Sequence, residues 1–243
     1  VRYDRNPEKG ICSYWSLTGD LRISHGLPLK RTRIQARSRR PGKALFADVD
    51  MLLPDSGFDP VHFLMPMDDG QRAFTTKAAG LTARGRITLN GTQFDLEPDR
   101  TFAVLDWTNG FYPRNTFWNW ACGTGMIKGN LRVGFNFSSG VYTRELLENI
   151  VWINGAPHQT GCVDYTYDRD HPMTPWQVKS PDGKIDLVFN PEGIRRANDN
   201  FVFVKSRFIQ VCGSYSGTIR LANDKKIRID HVGGVVEEHF ARW

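Results

Sequence analysis

The stretch LTARGRITLNGTQFDLEP, Leu81 to Pro98, decides the fold. Ile87 and Leu89 on one side, and Phe94 and Leu96 on the other, alternate with polar residues around Asn90-Gly91. A period of two is the period of a strand, and Asn-Gly accepts the positive φ angles of a tight hairpin turn. The same grammar recurs downstream. LRVGFNFSSG alternates Leu131, Val133, Phe135 and Phe137, and IVWINGAPH sets Val151 and Ile153 ahead of Asn154-Gly155. WQVKSPDGKIDLVFNP turns back through Pro181-Asp182-Gly183. From Asn200 to His239 the series continues, with turns expected at Gly213–Gly217 and Asn223–Lys225. Helical spacing is confined to TRELLENI, where Thr143 would cap and Leu146, Leu147 and Ile150 would face inward; a strand entry is the other reading. Many strands joined by short turns make an all-β antiparallel barrel or sandwich. Composition breaks near DLEPDRT, Asp95 to Thr101, which places one β domain at residues 1–97 and a second at 98–243.

The totals bound the class. With 243 residues, 40% hydrophobic and 24% charged, the chain reads as an ordinary soluble globular protein rather than a disordered one. It lacks a run of about 18 apolar residues, so no membrane-spanning helix is expected. The chain starts at Val1, so upstream residues completing the first domain, and contacting it, are expected; a cytoplasmic location is the default, and the oligomeric state is left open. Four cysteines, Cys12, Cys122, Cys162 and Cys212, stand far apart with no CxxC pair, which suits free thiols in a reducing compartment better than zinc.

The net charge of +6 is concentrated in LKRTRIQARSRRPGK, Leu29 to Lys43. Such a run can be a footprint for nucleic acid or anionic lipid. In RTRIQAR, however, the charges alternate with Thr32, Ile34 and Ala36, as on a strand with its basic side outward, and no nucleic-acid-binding motif accompanies them. The expectation is no nucleic-acid partner.

The residues with the most chemistry lie in LDWTNGFYPRNTFWNWACGTG, Leu105 to Gly125, which holds three of the seven tryptophans. In a strand Trp118 and Trp120 share a face and Asn119 takes the other, so the rings either fill a barrel or line a pocket for an apolar or sugar ligand. Asp106, between Leu105 and Trp107, is a candidate proton donor if apolar surroundings raise its pKa. The structural alternative is a turn cap or a partner for Arg114. Glu148 and Glu237 are the other candidate catalytic carboxylates. Trp107, Tyr112, Arg114, Trp118, Trp120, Asn149, Lys77 and His239 are candidate ligand contacts, with Lys77 read either as ligand-facing or as snorkelling to solvent. In VVEEHFARW, Glu237 and His239 share a strand face opposite Glu238, and half of that group is expected in salt bridges. Asp168, Asp170 and His171 make a metal reading, but neighbours at that spacing need not converge, and no metal is expected. No GxSxG, Walker, GxGxxG or HExxH motif occurs, and no cofactor is implied.

Taken in order, the blocks LDWTNGFYPRNTFWNWACGTG, LRVGFNF, ENIVWINGAPHQ, YDRDHPMTPWQVKSPDGKIDLVF, FIQVCGSYSGTI and GGVVEEHFARW resemble the DUF2804 family, as does the earlier FTTKAAGLTARGRITLNG. That family is similar in architecture to the carotenoid 1,2-hydratase and AttH-like group. The resemblance implies two lipocalin-like β-barrels in tandem, a ligand in an aromatic cavity, and relatives that hydrate isoprenoid double bonds, close rings or bind lipids. In the hydratases an aspartate protonates an alkene while aromatics stabilise the cation. That motif does not align residue by residue here, and Asp106 is its analogue by chemistry alone.

Three function classes follow. The first is a cofactor-independent hydratase, isomerase or cyclase acting on an apolar unsaturated small molecule such as an isoprenoid, held in an aromatic-lined barrel cavity. The second is a non-catalytic carrier of a lipid or isoprenoid. The third is a carbohydrate-active protein, which needs two carboxylates about 5–10 Å apart beside a tryptophan platform.

Overall fold

The computed structural model describes residues 2–3, 11–26, 31–54, 56–67, 70–142, 147–201 and 203–242. The described residues form strands and no helix, arranged as two curled antiparallel sheets. The strands are β1 (Arg2–Tyr3), β2 (Ile11–Ser16), β3 (Gly19–Gly26), β4 (Arg31–Arg40), β5 (Lys43–Leu52), β6 (Val61–Pro66), β7 (Arg72–Leu89), β8 (Thr92–Leu96) and β9 (Phe102–Gly110). There follow β10 (Asn115–Ile127), β11 (Leu131–Ser139), β12 (Ile150–Ile153), β13 (Ala156–Gln159), β14 (Asp164–Thr166), β15 (Trp176–Lys179), β16 (Ile185–Phe201), β17 (Val204–Arg220) and β18 (Lys226–Arg242).

The chain forms two compact units, residues 1–58 with 81–103, and residues 59–80 with 104–243. The stretch 59–80, on the N-terminal side of the compositional break at Asp95–Thr101, thus belongs with the C-terminal residues.

In the first unit β1 to β5 form an antiparallel meander, and β5 pairs with the second half of β7. The Leu81–Pro98 hairpin is present as β7–β8, with Ile87 opposite Phe94 and positive φ at Asn90 (48°) and Gly91 (87°). Of the basic run, residues 29–30 lie outside the described residues, Arg31–Arg40 are strand β4 and Lys43 opens β5. Arg31 binds Asp50 in bidentate fashion, and Arg33 binds Asp48 the same way. The charges of Arg31 and Arg33 are therefore matched across the strands by acids of β5, and Arg39 pairs with Asp20 of β3 at 3.0 Å.

In the second unit β10 to β18 make a nine-stranded sheet in the order β13-β12-β11-β10-β18-β17-β16-β15-β14. One face of this sheet carries the core: Ala121, Val133, Phe135, Phe137, Val151, Trp176, Leu187, Phe189, Val211, Tyr215 and Val236 are all fully buried in one cluster. Tyr215 meets Phe135 edge-on at 4.9 Å and donates its hydroxyl to the Val235 carbonyl at 2.6 Å. The opposite face is approached by residues 59–80 of the same unit. Trp152 donates its indole N–H to the Asp59 carbonyl at 2.8 Å, and Ala79 lies so close to Gly134 that a Cβ there would stand 2.1 Å from the Ala79 oxygen.

The hairpins expected at Asn154-Gly155, Pro181–Gly183 and Asn223–Lys225 are turns. Gly213–Gly217 is not a turn: β17 runs straight through it. The register shifts between Tyr215 and Gly217, and Gly217 (φ 140°) faces the Asp186 carbonyl where a Cβ would stand 2.1 Å away. The glycine serves close strand pairing at a bulge, not chain reversal. Of TRELLENI, residues 143–146 lie outside the described residues; residues 147–149 are neither helix nor strand, and Ile150 opens β12.

Candidate active site

Strand parity on β10 settles how the tryptophan stretch divides. Ala121 and Gly123 face the core, opposite Phe137 and Phe135 of β11. Trp118 and Trp120 point from the other face, where they line a cavity of about 420 Å³ with Lys77, Asp106, Thr108, Tyr112, Ser138, Val141, Tyr142, Glu148 and Glu237. All of these belong to the second unit. Hydrophobic side chains fill the core face, and the cavity lies on the opposite face, walled by β7 and β9.

Lys77 is the centre of the cavity's polar side. Its side chain is 4% exposed, and its ammonium stands 2.5 Å from Asp106 Oδ1 and 3.3 Å from Glu148 Oε2. It does not snorkel; β7 and β9 bring the lysine and the aspartate together, and Asp106 pairs with Lys77 rather than with Arg114. Burial pulls the Lys77 pKa down, but attraction to Glu148 and Asp106 outweighs it and the net shift is upward. Glu148 is buried too, and burial pushes its pKa above the usual carboxylate value despite the opposing pull of Lys77. Two carboxylates on one ammonium leave one negative charge in excess, and the more deeply buried carboxylate is the one that gains from taking a proton.

Glu148 lies in no regular element, yet its backbone is fixed. Asn136 donates to the Glu148 carbonyl at 2.9 Å and accepts from Trp120 Nε1 at 2.8 Å. Next to it, Asn149 is fully buried. Its side chain accepts from the Ser138 amide and donates to the Gly161 carbonyl. Asn149 is therefore a positioning residue one step removed from the cavity.

Glu237, on β18, is the third cavity carboxylate. Trp118 Nε1 donates to its Oε1 and Gln210 Nε2 to its Oε2, both at 2.9 Å. Burial raises its pKa, against these two hydrogen bonds. His239 stands behind Trp118, ring centroids 4.3 Å apart, with Ser206 Oγ 2.9 Å from Nε2; burial lowers its pKa. Tyr112 and Tyr142 bring their hydroxyls within 3.4 Å, and burial raises the pKa of both.

Lys77, Asp106, Tyr112, Trp118, Trp120, Glu148 and Glu237 are thus brought together around one cavity. Trp107, Arg114, Asn149 and His239 are not on its wall. Trp107 alternates away from Asp106 and packs edge-on against Phe74 at 5.9 Å. Arg114 donates to the Phe203 carbonyl at 3.4 Å. Thr108, Ser138, Val141 and Tyr142 line the cavity without having been singled out. Thr108 carried the strand signal, two residues after Asp106 on the same face, whereas Tyr142 had none. On the core side of the sheet Glu238 is fully buried, bound by the Tyr167 hydroxyl and by Arg169 Nε at 2.7 Å, as the salt-bridge reading of VVEEHFARW anticipates. Asp168 accepts from the Asp170 and His171 amides and pairs with the His171 ring, so that loop is braced by its own aspartate. Among the described residues no group of three His, Cys, Asp or Glu side chains has metal-holding geometry.

The chain belongs to the DUF2804 family, described as a domain of unknown function, whose model matches residues 2–243. The match extends the resemblance upstream of Phe74. A search of curated proteins finds no match. Among solved structures, kievitone hydratase from Nectria haematococca is similar over 95% of this chain and 69% of its own, at 11% identity and a TM-score of 0.48.

Proposed function

We propose that this member of the DUF2804 family is a cofactor-independent acid–base enzyme, of hydratase, isomerase or cyclase type, acting on an apolar or amphipathic unsaturated small molecule in the second unit's cavity. The observation that carries the reading is the Glu148–Lys77–Asp106 cluster. It places a buried carboxyl with a raised pKa on the wall of a cavity also lined by Trp118, Trp120 and two tyrosines. An acid at such a position donates a proton near neutral pH.

Glu148 delivers the proton to a carbon–carbon double bond. Positive charge then develops on the substrate beside the tryptophan faces and the Glu237 carboxylate, which stabilise it by cation–π and charge attraction. Water addition followed by loss of its extra proton to Asp106 would give hydration, proton loss from a neighbouring carbon to Asp106 isomerisation, and attack by a second double bond followed by the same proton loss ring closure. Lys77 holds both carboxylates in place and offsets the charge left on Glu148 after transfer. The role first considered for Asp106 thus passes to Glu148, because Asp106 is already the close counter-ion of the ammonium.

The test begins with native mass spectrometry and organic extraction of co-purifying molecules, which names the compound class to assay. Glu148→Gln is expected to abolish turnover of that class while ligand binding and fold persist. Retained turnover would remove Glu148 from the mechanism. A ligand bound tightly by wild-type protein and recovered unchanged after long incubation would favour the carrier, and release of reducing sugar from a glycoside the carbohydrate reading.

A further inference from the structure

We infer that one end of the second unit docks on an anionic lipid surface. Its apolar part is assembled from two separate loops. Phe201 (68% exposed), Phe203 (73%) and Val204 (46%) form the tip of the β16–β17 hairpin, and Phe111 (70%) stands in the β9–β10 connection. Strand register places the two at the same end: Asn115 of β10 pairs with Arg242 of β18, and Arg242 pairs with Lys205 of β17. Arg114 joins them directly through its hydrogen bond to the Phe203 carbonyl. Exposed aromatic rings gathered from two loops at one end are not a by-product of core packing, since each costs solubility and serves no buried contact.

Charge decides the occupant. Period-two alternation puts Arg196, Lys205 and Arg242 on one face of the sheet next to the tip, with Asn198 and Asn200 between them, while Arg207 on that face pairs with the buried Glu238 at 3.5 Å. Asp199 lies on the other face, with Phe201. An apolar, aromatic tip beside a basic face is the complement of an anionic bilayer: rings enter the headgroup boundary and the cations meet lipid phosphates and carboxylates. A second protein would need a partner surface of mixed apolar and acidic character. Tyr112, which lines the cavity, is the immediate neighbour of Phe111, so docking would bring the cavity's wall to the membrane surface.

The test is co-flotation with vesicles of phosphatidylcholine containing about 30% phosphatidylserine, against vesicles of phosphatidylcholine alone. Wild-type protein is expected to float with the anionic vesicles, and less so as salt rises from about 0.1 to about 0.5 M. The variant Phe201→Ser/Phe203→Ser is expected to bind at least about ten-fold more weakly with unchanged circular dichroism and melting temperature, since both rings are exposed. Arg196→Gln/Lys205→Gln should lower binding to the anionic vesicles only. Failure of the wild type to float, or equal binding by the serine variant, overturns the proposal. A wild-type dimer in solution that the serine variant converts to monomer overturns it in favour of a second copy. None of these readouts depends on catalysis.

Discussion

Replacing Lys77 by methionine probes the buried cluster most directly. The lysine is 4% exposed and 3.3 Å from an equally buried Glu148. Methionine retains most of the side chain's length, so the loss is chiefly electrostatic. Stranding one partner of a buried pair costs about 3–5 kcal/mol while its charge persists. Glu148 can escape by binding a proton: burial already raises its pKa, and Lys77 is the strongest influence opposing that rise. An acid whose folded pKa exceeds its usual 4.5 favours folding at low pH. That contribution fades as pH climbs from the unfolded value through the folded one. Without Lys77 the folded value climbs further and the fading becomes larger. The variant should therefore lose about 1 kcal/mol near pH 5 and about 3–5 kcal/mol near pH 8. In melting temperature the difference between the two conditions is about 5–15 °C. Urea and thermal denaturation at both pH values measure it. The double variant Lys77→Met/Glu148→Gln should recover most of the loss at pH 8, since no charge is then left without a partner beside the methionine; Asp106, more exposed, reaches solvent. Equal destabilisation at both pH values, with no recovery in the double variant, would refute the coupling.

Two further outcomes follow from the same packing. Gly134→Ala should destabilise the second unit by about 3 kcal/mol, because the added methyl meets the Ala79 carbonyl rather than a side chain that can move; an unchanged denaturation midpoint would show that residues 59–80 do not pack as described. An aromatic disulfide reagent should modify exposed Cys212 in the native protein and reach Cys122 only on unfolding, since Cys122 is buried and burial pushes its thiol pKa up; mass spectrometry of the labelled peptides would detect the contrary order.

The strand class and most of the turns are legible in the residues alone. Asn90-Gly91 and Asn154-Gly155 carry their geometry locally, in φ values that few residue pairs adopt, and alternation tells which side chains share a face. It therefore separated Glu237 from Glu238 and Trp118 from Asn119. Gly213–Gly217 is not legible in this way, because a glycine needed for close strand pairing looks the same in sequence as one needed for a turn. The family blocks were legible for the same reason as the turns: they are local strings. Which face of β10 meets the core and which the cavity depends on packing between distant strands. Both faces carry aromatic or small residues, and the choice depends on Phe135, Tyr215 and Phe189 arriving from other strands. Lys77, Asp106, Glu148 and Glu237 come from four separate segments, and no spacing rule connects them. Their shared ammonium, and hence the raised pKa that makes Glu148 the proposed acid in place of Asp106, arises from burial and charge balance, which are properties of the packed chain.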